Sequence, residues 1–146
     1  MNFEKIAGYE NEKKELLNLR EMLHNADKFK EKGIRIPRGA ALYGEPGIGK
    51  STLMLQIAAN CSARKTVLYV SGEESPSQVR QRAERLNLEL SRINFLCETK
   101  LENVLYVIDS EKPQLVIIDS LQTLISDEIG SQAGSVTQIR YCCLEI

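Results

Sequence analysis

Glycine and proline are sparse in this chain of 146 residues, at nine and four. A collagen-like repeat, a low-complexity linker and a wholly disordered chain all need one or both in excess, so none of these applies. An excess of one charge is missing too: 19 Lys and Arg stand against 20 Asp and Glu. No global field draws the molecule to a polyanion or an anionic membrane, and any such binding must be local. No apolar run approaches the ~20 residues that span a bilayer, and the N-terminus, MNFEKIAGYENEKKE, lacks the apolar stretch of a secretion signal. The expected location is cytoplasmic, with no membrane partner. Cys61, Cys97, Cys142 and Cys143 form no C-x-x-C pair, so neither a zinc knuckle nor a disulfide framework is indicated. The one histidine, His24, is expected at the surface.

With 42% hydrophobic and 27% charged residues, the composition is that of one globular core. Leu16, Leu19 and Leu23, widened by Leu17 and Met22, predict an amphipathic helix over 11–25. The lysine-rich stretch 28–33 reads as a solvated face. Residues 40–43, Ala-Ala-Leu-Tyr, predict a short buried strand, followed by a glycine-rich turn and a helix over 51–59. Further strands are predicted at 66–70, 93–97 and 115–118, with helices at 77–86, 101–109 and 136–140. Strands alternating with helices argue an α/β fold, a mainly parallel sheet flanked by helices, with ligands outside the carboxyl ends of the strands.

Gly44-Glu45-Pro46-Gly47-Ile48-Gly49-Lys50-Ser51 fits G-x-x-x-x-G-K-[ST] in full, between a predicted strand and a predicted helix. Glycines let successive backbone N–H groups turn inward around phosphate oxygens, and the helix N-terminus adds free N–H groups and a favourable dipole. Lys50 would reach the β- and γ-phosphates and Ser51 would hold Mg²⁺. A merely structural turn capped by Ser51 would not require lysine at position 50. Asp119, ending the strand 115–118, fits a carboxylate delivered to the metal, although alone it fits a helix cap equally well. Glu73 and Glu74 follow another strand, on the rim where a γ-phosphate would lie. One of them can polarise an attacking water; alternatively they are acidic first-turn residues of a helix capped by Ser71 or Ser75. These residues alone leave both open. Arg80, Arg82 and Arg85 read as a solvated basic face, and 130–135 as a flexible connector.

From this loop onward the chain resembles the ATPase core of the bacterial RadA (Sms) DNA repair family, which is RecA-like. The resemblance runs through GEPGIGKSTLMLQIA, VLYVSGEES, RAERLNL, CETKLENV, PQLVIIDSLQTL and GSVTQIR, between residues 44 and 140. It implies a P-loop NTPase that binds ATP with Mg²⁺ through Gly44, Glu45, Pro46, Gly47, Ile48, Gly49, Lys50, Ser51 and Thr52. It further implies metal ligation by Ser51 and Asp119, catalysis by Glu73 with Lys50, and coupling through Gln122. Single-stranded or branched DNA would touch 126–135, and the longer relatives would act as homo-oligomers.

Residues 3–44 are instead similar to the start of an AAA+ module of the FtsH type, in which Ile6 and Gly8 would line the adenine pocket. The domain expectation is therefore one P-loop ATPase domain over 1–146, with 1–38 an AAA+-like helical segment and 39–146 a RecA/RadA-like core. Leu144-Glu145-Ile146 ends within a continuing helix, and both families would supply one more central strand, so the fold is expected to be C-terminally incomplete. Nucleotide binding is then expected to survive better than turnover. Three functions follow as expectations: a DNA-dependent ATPase, an AAA+ unfoldase or protease-associated module acting on protein, and a nucleotide-holding chain without turnover.

Overall fold

The computed structural model describes residues 10, 11, 14, 15, 17, 18, 21, 25–33 and 39–146. They fall into two compact units, 1–43 and 44–146. In the first, Asn11, Lys14, Glu15, Leu17, Asn18 and Glu21 are helical where the apolar spacing predicts a helix, and so is Glu10 one residue before it. Leu16, Leu19, Met22, Leu23 and His24 lie outside the described residues. A short helix α1 (Ala26–Glu31) follows, with the Asn25 side-chain amide donating to the Glu21 carbonyl at 3.2 Å. Lys28, Glu31 and Lys32 are exposed, as a solvated charge run requires.

The strand predicted at 40–43 does not form: the segment has no regular structure, and Leu42 and Tyr43 are 47% and 97% exposed. Four apolar residues make a strand only when a neighbouring ladder accepts their N–H and C=O groups. Among the described residues none does.

The second unit runs α2 (Lys50–Ser62), β1 (Val67–Ser71), α3 (Pro76–Arg85), β2 (Ile93–Cys97), α4 (Leu101–Glu111), β3 (Leu115–Asp119), a 3₁₀ turn (Leu121–Thr123) and α5 (Val136–Glu145). The three strands form a parallel sheet in the order β2-β1-β3. β1 lies in the middle and every residue in it is buried, which is why its sequence, Val-Leu-Tyr-Val-Ser, is apolar until its last residue.

Successive side chains of a strand point to opposite faces, and β1 divides accordingly. Val67 and Tyr69 pack with Leu55 and Ala58 of α2, Val79 and Ala83 of α3, Ile93 and Ile117. Leu68 and Val70 pack with Leu101 and Val104 of α4, Leu124, and Cys142 of α5. The result is a helix, sheet, helix sandwich whose two cores share one central strand. The ends of α3 are set locally: Ser75 accepts from the Gln78 amide, the Gln78 side chain accepts from the Ser75 amide at 2.9 Å, and Pro76 opens the first turn. The helix predicted at 136–140 continues to Glu145.

Truncating Leu68, 1% exposed, to alanine should cost about 2–5 kcal/mol in urea unfolding. Tyr106→Ala, at a position 75% exposed, should stay within about 0.5 kcal/mol of the parent.

Candidate functional site

The loop that opens the second unit owes its path to glycine. Gly47 and Gly49 have φ of 83° and 90°, a region where a Cβ is strained. Gly49 is also the N-cap of α2, and no side chain caps that helix and no acidic residue lies in its first turn. α3 and α5, by contrast, are capped by Ser75 and Ser135. The N–H groups at the start of α2 are therefore left to an outside acceptor, and the helix dipole favours an anion there.

Lys50 begins α2, and its ammonium donates to the carbonyls of Gly44 and Glu45, each at 2.7 Å. The side chain thus arches back over the loop, with a third N–H to spare. Glu45, Pro46 and Ile48 are exposed, and Thr52 is half-buried one residue beyond Ser51.

Ser51 Oγ donates to Asp119 Oδ1 at 3.0 Å. Asp119 ends β3, so this bond fastens the first turn of α2 to the carboxyl end of the sheet. Tyr69 of β1 donates to the other carboxylate oxygen, Oδ2, at 2.7 Å. Burial first, and then the bond to Asp119, hold the Tyr69 phenol well above its ordinary range, so it remains a donor. A hydroxyl and a carboxylate oxygen converging beside an open helix N-terminus suit a hard divalent cation such as Mg²⁺, which takes oxygen ligands and keeps waters and phosphate oxygens in its other positions. Ser51 and Asp119 thus fit the metal.

The two glutamates after β1 separate. Glu74 turns to Arg82 of α3 and pairs with it, while Ser71 Oγ accepts from the Glu74 amide at 3.0 Å. Glu73 is exposed and accepts from Ser120 Oγ at 3.1 Å and from Gln122 Nε2 at 3.3 Å. It therefore lies beside the end of β3, and neither residue is a first-turn acid of α3. Gly72 makes this approach possible: a Cβ there would lie 2.0 Å from Thr123 Oγ1 and 2.5 Å from Thr123 Cβ.

Two other expectations change. Arg82 is not part of a solvated basic face, because residues two apart on a helix point in different directions and Arg82 turns toward Glu74 while Arg80 and Arg85 stay exposed. The connector 130–135 is anchored at Ser131, and the segment before it at Ser126 and Ile129. Gln138, fully buried, donates to the carbonyls of Ser126, Ile129 and Ser131 at 3.0, 2.9 and 3.0 Å, and accepts from the Ser126 amide at 3.1 Å. Ser126 in turn donates to Glu102 at 2.5 Å, which holds that carboxyl below its ordinary range. Tyr141 donates to Glu128 at 2.6 Å, and this bond foremost pushes its phenol up to about 12. Ile6 and Gly8 lie outside the described residues. Tyr69, Ser120, Thr123 and Gln138 were missed as site or support residues. Tyr69 alone carried a signal, a polar tip within an otherwise aliphatic buried strand.

The phosphate-type loop, the parallel sheet and the paired serine and aspartate define an α/β P-loop fold. A family model described as an AAA domain matches residues 32–141, and the chain belongs to that family. It is similar to the DNA repair protein RadA of Treponema pallidum (strain Nichols), 53% identical over 115 residues, which make up 78% of this chain and 25% of that protein. The RadA of Aquifex aeolicus (strain VF5) is 50% identical over 99 residues, 68% of this chain and 22% of its own. The RadA of Rickettsia conorii (strain ATCC VR-613 / Malish 7) is 37% identical over 148 residues, 99% of this chain and 33% of its own. This chain thus spans between 22% and 33% of the length of these curated relatives, and the last similarity includes the first third. The core is RadA-like, within the RecA-like P-loop proteins. Among the described residues no helix is long and apolar enough to cross a membrane.

Gly72→Ala should lower stability by about 1–3 kcal/mol through overpacking, and in a Thr123→Gly background the same substitution should cost less, because the clash is gone. Urea unfolding of Gly72→Ala, Thr123→Gly and the double variant checks this.

Proposed function

We propose that this chain binds ATP with Mg²⁺ on the loop 44–51 and hydrolyses it by in-line attack of water, with DNA as the regulating partner. The observation that carries the reading is the convergence of Lys50, Ser51 and Asp119 at the open N-terminus of α2, with Glu73 on the adjoining rim.

In this reading the backbone N–H groups of Gly44, Glu45, Gly47, Ile48, Gly49, Lys50, Ser51 and Thr52 form the bed of the phosphates, and Pro46, which has no N–H, fixes the turn of the loop between them. Lys50 brings an ammonium to the terminal phosphates without leaving the loop carbonyls that aim it. Ser51 and Asp119 hold the metal. Mg²⁺ supplies neutralisation of the charge on the phosphate oxygens. Glu73, kept in place by Ser120 and Gln122, accepts a proton from the attacking water. Ile6 and Gly8 serve the adenine. The relatives are named as DNA repair proteins, and the segment 126–135 is the proposed DNA contact, with Gln122 linking it to Glu73. Recombinational repair in the cytoplasm by an assembly of several copies is the setting this reading implies.

One observation favours a second reading, in which nucleotide is held without turnover. Residues 40–43, which lead into the loop, have no regular structure.

Steady-state Mg·ATP hydrolysis with and without single-stranded DNA separates these readings. The proposal expects turnover that DNA raises and that Lys50→Ala lowers by about 100-fold. Nucleotide binding without turnover selects the second reading, and turnover unaffected by Lys50→Ala overturns the first.

A further inference from the structure

Tyr69 lies in the middle of β1, 1% exposed, on the face that packs against α2 and α3. Its ring meets Phe95 with centroids 5.6 Å apart, and Val67, Ile117 and Leu55 belong to the same core. Phenylalanine would fill this space equally well. What the hydroxyl adds is one bond, 2.7 Å to Asp119 Oδ2.

The ladder explains how it reaches. Tyr69 stands opposite Ile117, and Ser71 opposite Asp119. Tyr69 therefore starts two residues short of the carboxylate, about 6.6 Å along the strand, and shares a sheet face with it. A side chain lying forward along the strand spans that gap, which leucine or valine would leave as a hole and phenylalanine would fill without a donor.

A carboxylate torsion is broad and two-fold, so Asp119 held by one partner can present either oxygen over a range of angles. Here the two oxygens have different partners: Oδ2 takes the tyrosine hydroxyl and Oδ1 takes Ser51 Oγ at 3.0 Å. Ligating carboxylates are commonly oriented by such outer hydrogen bonds, and their loss weakens metal binding by about 10–100-fold. We propose that Tyr69 is a positioning residue for the metal site, its hydroxyl turning the Asp119 carboxylate so that Oδ1 faces Ser51 and the cation. The inference rests on reading Ser51 and Asp119 as the Mg²⁺ ligands of a nucleotide complex.

The test is titration of a fluorescent ADP analogue, in EDTA and then across a Mg²⁺ series, against the parent chain, Tyr69→Phe, Phe95→Leu, Asp119→Asn and the Tyr69→Phe/Asp119→Asn pair. Tyr69→Phe should leave affinity in EDTA unchanged and raise the Mg²⁺ concentration needed for tight binding by about tenfold. It should add nothing in the Asp119→Asn background, because it acts through that carboxylate. Phe95→Leu disturbs the same ring without touching the carboxylate, so it should lower the unfolding midpoint and leave the Mg²⁺ series in place.

A Tyr69→Phe chain that is less stable but keeps the parent's Mg²⁺ dependence overturns the inference and leaves the metal site standing. So does Phe95→Leu moving the Mg²⁺ series as far as Tyr69→Phe. A parent chain that binds the analogue with no response to Mg²⁺ overturns both the metal site and the inference. A readout on the folded parent stands apart from any variant. With 3-fluorotyrosine incorporated, the fluorine resonance of Tyr69 should shift when Mg²⁺ joins the nucleotide complex, and a resonance that stays put contradicts the proposal.

Discussion

The Asp119 carboxylate fastens α2 to the sheet and adds a side-chain bond between β1 and β3, which the backbone ladder already pairs. Ser51 brings the first turn of α2 to one oxygen and Tyr69 brings β1 to the other. The next residue, Ser120, reaches Glu73, and the Asp119 carbonyl accepts from the Gly72 amide at 3.3 Å. Hydrogen bonds to a charged group contribute about 1.5–3 kcal/mol each. Their larger effect here is geometric: the loop, the carboxylate at the end of β3 and the glutamate after β1 keep fixed places relative to one another.

That arrangement depends on strand order. β1 is central, so the carboxyl ends of β1 and β3 lie side by side and Ser71 stands opposite Asp119. The chain segments leaving these two strands must share the rim, and Gly72 gives Thr123 the room to come over. Apolar burial supplies the platform. Alternate residues of β1 are committed to opposite cores, and a slip of one residue in its pairing would send Tyr69 to the wrong face, away from Asp119. The Asp119 carboxylate and the two cores are thus set by the same register.

Much of this was legible in the residues. The loop motif, its place before a helix, and the alternation of apolar runs with polar helical segments identified the fold and the order of its elements, because these signals are local. The resemblance favoured Glu73 over Glu74, but the residues alone did not separate them, since their separation depends on Arg82 and on the segment 120–122. The short run 40–43 looked like a strand because hydrophobicity reports a wish for burial and not the presence of a ladder. The order in 126–131 came from Gln138, whose amide is polar in composition and yet completely buried; a side chain seven or more residues away cannot be read from the loop's own serines and glycines. The hydroxyl of Tyr69 was visible as a polar tip in an aliphatic strand, but its partner belongs to another strand 50 residues on.

The central claim is that Ser51 and Asp119 together form the cation position of a nucleotide site at the start of α2. A crystal structure of the chain grown with ADP and Mn²⁺ tests it most directly, because anomalous scattering locates the ion without reference to the protein atoms. The account predicts the ion about 2.0–2.3 Å from Ser51 Oγ, with Asp119 Oδ1 bound to it directly or through one water, and phosphate oxygens on the amides of Gly47 to Ser51. An ion bound elsewhere, or phosphates away from that helix end, would contradict it.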